Sequence, residues 1–114
     1  MILPLQSDPS EDDMPKGYWI AHIDVREAGG YEEYRKRNAV PFAKFGARFL
    51  VRNGESVVAE GSLKSRHVVI EFDSYEKALA CYHSPEYQEA ITFRAPVSSG
   101  DLVIIAGYDG PQPG

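Results

Sequence analysis

The sequence is poor in the residues that announce chemistry. It has one cysteine, Cys81, so no disulfide forms within the chain, and its start has no basic segment followed by an apolar run. Both absences argue against secretion and make the cytoplasm the expected location. No apolar run approaches the roughly 20 residues that span a bilayer, so no membrane partner is expected. A cationic excess is missing too. The formal net charge is -5, but Asp8, Glu11, Asp12 and Asp13 account for most of it; from Met14 onward thirteen acids face twelve bases. A nearly neutral body with no basic face does not follow a phosphate backbone, so nucleic acid is not an expected partner. No cysteine, histidine or acidic spacing marks a metal centre, and no motif calls for a cofactor; neither is expected.

What is present describes one small domain, since 114 residues suffice for one core and leave no room for a second. Residues 1–13, "MILPLQSDPSEDD", combine two prolines with an acidic run and read as a flexible arm, and residues 109–114, "DGPQPG", as a tail. Between them, residues 14–108 carry regular patterning. "YWIAHIDV" alternates, with Trp19, Ala21, Ile23 and Val25 on one face and Tyr18, Ile20, His22 and Asp24 on the other. After Gly29-Gly30, the residues Tyr31, Tyr34, Asn38, Phe42 and Phe45 recur at helical spacing, and Pro41 is expected to kink or divide that helix. "ARFLVR", the turn dipeptide Asn53-Gly54 and "ESVVAEG" predict a hairpin. "RHVVIEF" is a further strand, with Val68, Ile70 and Phe72 on its apolar face and His67, Val69 and Glu71 on the other. Asp73 and Glu76 have capping-box spacing at the start of a helix. "DLVIIAGY" is the last strand, and its continuous apolar run predicts a position inside the sheet, buried on both faces. The order predicts an α+β, ferredoxin-like βαββαβ sandwich with an antiparallel sheet.

"YHSPEYQEAITFRAP" concentrates polar residues as a site would, yet Ser84 suits an N-cap, Pro85 a first helical position and Glu86 the positive helix end. It reads as a helix restart. Adjacent residues such as His83 and Ser84 point in different directions and do not assemble a catalytic triad. Arg94 either caps the end of this helix or reaches a carboxylate elsewhere.

"MPKGYWIAHIDV", "YEEYRKRNAVPFAKFGARFLVRNG", "AEGSLKSRHVVIEFDSYEKALACYHSPEYQEAITFR" and "LVIIAGYDG" together resemble the domain-of-unknown-function family 1330, within the dimeric α/β-barrel superfamily. The most specific pieces are Glu60-Gly61, the "VVIEF" strand and "SPEYQ" running on to Arg94. Cys81 stands where many relatives have tryptophan, and residues 1–13 lie outside the pattern. The resemblance implies a homodimer in which two sheets meet around a central cavity. Some superfamily members are cofactor-free monooxygenases, isomerases or dehalogenases; the family itself has no established activity.

In such an architecture the helices cover the apolar sheet faces, leaving the mixed faces to line a barrel or a dimer seam. His22, Asp24, Arg48, Arg52, His67 and Glu71 fall there. Two imidazoles and a carboxylate form a general acid/base set, so His22, His67 and Glu71 are the candidate catalytic residues. Arg48, Asn38, Glu60 and Arg94 are the candidate ligand-binding residues, with a guanidinium suited to a small anionic molecule. The same groups also suit an ion-paired interface of a non-catalytic dimer. Both readings stand on the sequence.

Overall fold

The computed structural model describes residues 15–114; the expected arm of residues 1–13 lies outside them. The elements are β1 (Gly17–Val25), α1 (Ala28–Lys44), β2 (Arg48–Arg52), β3 (Arg66–Phe72), α2 (Tyr75–His83), α3 (Pro85–Arg94), a 3-10 turn (Ala95–Val97) and β4 (Ser98–Ala106). The four strands form one antiparallel sheet in the order β2-β3-β1-β4, with the helices packed on one face; β4 is therefore an edge strand, not the interior one its apolar run predicts, and Val103 and Ile105 stay exposed. This is a ferredoxin-like α+β fold.

Alternation decides which residues the helices cover. Trp19 and Ile23 of β1, with Val68, Ile70 and Phe72 of β3, are buried together with Tyr31, Tyr34 and Phe42 of α1, Ala78 and Cys81 of α2, and Tyr87 and Ala90 of α3. Trp19 centres this core. Its ring contacts those of Phe42, Phe72, Tyr82 and Tyr87 at centroid distances of 4.8–5.8 Å, and its indole N–H donates to the Ala78 carbonyl at 2.9 Å. Aromatic rings met edge-on add to their burial, which fixes how α2 and α3 sit on the sheet.

Local expectations hold in part. Ser84 caps α3 by accepting from the Tyr87 N–H, and Pro85 opens the helix. α2 is capped by Ser74, which accepts from the Lys77 N–H, one residue later than the expected Asp73; the Asp73 carboxylate pairs with Arg48 instead, at 3.1 Å. α1 starts at Ala28, ahead of Tyr31, and takes in Gly29 and Gly30. The glycine at 30 lets the helix start approach Val97, where a Cβ would meet the valine side chain at 2.6 Å. Pro41 does not divide α1: the helix runs on to Lys44, and the buried Pro41 carbonyl accepts from Phe45 N–H.

The expected hairpin is the main correction. Asn53 does adopt a left-handed backbone, φ 56°, but its N–H donates to the His67 carbonyl and so ties the end of β2 to β3. "ESVVAEG" forms no strand. Val57 and Val58 have no sheet face to bury, and both stay exposed.

Candidate ligand-binding site

A cavity of about 260 Å³ lies between the sheet and the helices, on the face where the sequence suggests only core. Strand register sets its length. Trp19, Ile70 and Phe49 are cross-strand neighbours at one end; Ala21, Val68 and Arg52 follow; Ile23, Arg66 and Gly100 close the other. Those ends are four residues apart on β1, roughly 13 Å at strand rise. α1 roofs the space with Tyr31, Tyr34, Arg35, Asn38 and Phe42 on successive turns, and α3 adds Tyr87 and Arg94. Phe42 packs edge-on against Trp19 and Phe49 at the first end, while Tyr31 underlies the Arg66 guanidinium at the second, 5.2 Å from its ring centre. The first end is thus walled by the rings of Trp19, Phe42 and Phe49, and the second holds the Arg66 guanidinium on Tyr31.

Arg52 reaches it through a β-bulge. Simple alternation puts Arg48, Leu50 and Arg52 on one face, but the register slips between Phe49 and Val51: Arg48 opposes Glu71, Phe49 opposes Ile70, Val51 opposes Val69 and Arg52 opposes Val68. One extra residue in the strand turns Arg52 over to the helix side. There its guanidinium covers the Phe49 ring at 4.0 Å.

The charge balance of the lining is one-sided. Among the described residues Arg52, Arg66 and Arg94 make no ion pair, and Arg35 pairs with Glu32 at 3.4 Å. The Nε atoms of Arg66 and Arg94 are buried and have no hydrogen-bond partner. Asp101, the one lining carboxylate, is engaged by Lys64 at 2.7 Å. Tyr34 and Tyr87 share a buried hydrogen bond of 2.7 Å between hydroxyls, with Arg94 over the Tyr34 ring at 5.3 Å. Burial raises the pKa of Tyr87, and burial followed by the neighbouring Tyr34 raises that of Tyr31, so both remain protonated donors at neutral pH. The side chain of buried Asn38 makes no hydrogen bond to another described residue. Such a lining presents guanidinium and phenol donors with few acceptors; an anionic or acceptor-rich guest completes it. Cys81 takes no part: burial pushes its thiol up to about 12.

The opposite, helix-free face holds the expected catalytic set, though not as one pocket. His22 and His67 are direct cross-strand partners, with Nδ1 atoms 2.9 Å apart, so one ring donates and the other accepts. Glu71 sits four residues further along β3. It accepts from Tyr18 Oη at 2.9 Å and Arg48 Nε at 3.1 Å, and contacts neither imidazole. Four strand residues separate the two groups by roughly 13 Å, which is why alternation alone, blind to distance along the strand, merges them. Asp24 binds the Ser65 N–H and hydroxyl. Of the four expected ligand-binding residues, Asn38 and Arg94 line the cavity, Arg48 lies on the opposite face, and Glu60 is exposed in the β2–β3 connection.

The model of a domain of unknown function, DUF1330, matches residues 16–108. The chain belongs to that family. No curated protein matches its sequence. Among solved structures, the DUF1330 chain is similar to a Rhodopseudomonas palustris protein of unknown function, with 14% identity, TM-score 0.67 and coverage of 84% of this chain and 85% of that one. It is similar to SnoaB, a cofactor-independent oxygenase from Streptomyces nogalater, at 14% identity and TM-score 0.57, covering 84% and 96%. A dimeric ferredoxin-like protein of unknown function from Thermobifida fusca matches at 16% identity and TM-score 0.56, covering 82% and 92%. At such identities the likeness concerns the fold.

Two signals for the cavity were present in the DUF1330 sequence. Arg66 shares alternation with Val68, Ile70 and Phe72, which puts a guanidinium on the core face of a strand. Arg94 follows buried Tyr87 by seven residues, on the same side of α3. A charge on an apolar face needs an explanation, because burying it without a partner costs several kcal/mol, on the order of 3–5 for a broken pair.

Proposed function

We propose that this DUF1330 protein binds a small organic anion in the cavity between its sheet and helices, with Arg66 and Arg94 as the anion-holding residues, Asn38 and the Tyr34–Tyr87 pair as further donors, and Arg52 at the rim. The observation that carries this reading is the pair of buried, partnerless Nε atoms on Arg66 and Arg94 in a lining whose one carboxylate is already engaged. A guanidinium satisfied by a ligand carboxylate or enolate makes short, charge-assisted hydrogen bonds, and burial of the guanidinium strengthens them. The same donor set would favour an enolate over its neutral keto form, which is how a cavity of this kind supports chemistry on an acidic substrate. Among the described lining residues there is no histidine and the one carboxylate, Asp101, is paired with Lys64, so proton abstraction within the cavity would fall to the ligand or to solvent.

The reading includes a homodimer joined through the helix-free face. Leu50, Val51, Val103 and Ile105 are exposed there beside Ile20 and Val69, and a sheet face of this apolarity is normally covered. On this reading His22, His67, Arg48 and Glu71 belong to the seam.

Thermal unfolding against a panel of small carboxylates and their neutral amides tests the binding. The carboxylates should raise the midpoint of the wild type and leave Arg66→Gln and Arg94→Gln unmoved. A panel that stabilises all three proteins equally, or none, rejects the assignment.

A further inference from the structure

The cavity has two unlike ends, and from this we infer that its ligand is an arylalkanoate-like monoanion: an aromatic or compact apolar body joined to one terminal carboxylate, seated body-first. The inference rests on the anion-binding reading above and narrows it to a ligand class and an orientation.

The register fixes the polarity. Trp19 and Phe49 flank Ile70, and Phe42 closes against both rings, so the end at Ile70 is walled by aromatic rings, with the Arg52 guanidinium at the rim over Phe49. At the end four residues away, Arg66 stands beside Ile23 and over Tyr31, with its Nε buried and unpaired. An inorganic anion would satisfy the guanidinium end and leave the aromatic end without a guest. A neutral hydrocarbon would do the converse, and the buried Nε atoms would stay unsatisfied. Only a molecule apolar at one end and anionic at the other meets both demands. The dimensions agree: roughly 13 Å between the ends, less the reach of the side chains, accommodates a ring and a short carboxylate arm, and about 260 Å³ falls just below the range of drug-sized sites.

Trp19 makes the inference testable without a label, because it is the one tryptophan of the chain and stands at the aromatic end. Phenylacetate, acetate and benzyl alcohol are titrated into the full-length protein while tryptophan emission is recorded, with calorimetry supplying affinities where emission does not change. Phenylacetate should alter the emission and bind at least about tenfold more tightly than acetate, the gain expected from burying a ring, and more tightly than benzyl alcohol. Arg66→Gln should reduce the preference for phenylacetate over benzyl alcohol. If that variant does not fold, Arg94→Gln, the other arginine with a buried, unpaired Nε, serves in its place. Equal affinities for acetate and phenylacetate would overturn the two-ended reading and leave anion binding intact. Binding of benzyl alcohol as tight as that of phenylacetate would overturn both. Tight phenylacetate binding with unchanged tryptophan emission would overturn the orientation.

Discussion

Tyr34 and Tyr87 show how closely function and stability are joined in this cavity. Their hydroxyls meet at 2.7 Å inside an aromatic cluster, where one donates to the other and the second proton is left for a guest. Removing one hydroxyl strands its partner, so Tyr34→Phe or Tyr87→Phe alone should cost about 1–2 kcal/mol of stability, whereas the double variant should cost less than the sum. A double-mutant cycle by denaturant unfolding measures this coupling; strict additivity would mean that the two hydroxyls do not depend on each other. At the same scale the sequence is legible unevenly. Ser84 and Pro85 declare a helix start because capping is local chemistry, and Asn38 stands out as a polar residue in an apolar seam. Arg94 stands out by its place on α3 and Arg66 shares its face with Val68 and Ile70, but that both guanidinium groups border one cavity follows only from the closing of α1 and α3 over the sheet, a tertiary event.

At the scale of elements, Glu71 ties three strands together by accepting from Tyr18 of β1 and Arg48 of β2. Burial alone would raise its pKa, but the hydrogen bonds from Tyr18 and Arg48 outweigh that and hold the carboxyl below its ordinary value. A carboxyl depressed in the folded state stabilises the protein above its unfolded pKa, and the contribution is lost as pH falls through the folded value. Stability should therefore drop on acidification below about pH 4.5, the ordinary glutamate range. Glu71→Gln should cost about 1 kcal/mol at neutral pH, a modest figure because Arg48 is open to solvent, and should shallow the acid-side decline in urea midpoint against pH. An unchanged decline would assign acid sensitivity to other carboxylates. The strands themselves were readable from alternation, and so were both helical regions. The bulge in β2 was not, because "ARFLVR" alternates equally well in either register; only pairing with β3 shows that Arg52 turns over. Nor was the fate of "ESVVAEG": Asn53-Gly54 favours a turn, but the N–H of Asn53 was claimed by His67 on a strand fourteen residues away.

For the whole molecule, the fold came through clearly in the sequence because the order of strands and helices, with an antiparallel sheet, leaves few arrangements open. What the fold does to the candidate site was less visible: one face of the sheet holds the histidine pair and the Glu71 cluster, and the other holds the cavity. On the proposed assembly the first face is covered by a second copy. Light scattering at micromolar concentration should then give twice the 12.7 kDa chain mass, and Val103→Asp, placing a charge in the seam, should shift the protein toward monomer; a wild-type monomer would refute that assembly. The central claim, that the cavity on the helix side is the ligand site, is tested most directly by a crystal structure of the complex with a small aromatic carboxylate. The account predicts ligand density between sheet and helices with a carboxylate oxygen about 2.7–2.9 Å from a guanidinium nitrogen of Arg66 or Arg94. A ligand held instead by His22 and His67 on the helix-free face, with the cavity empty, would contradict it.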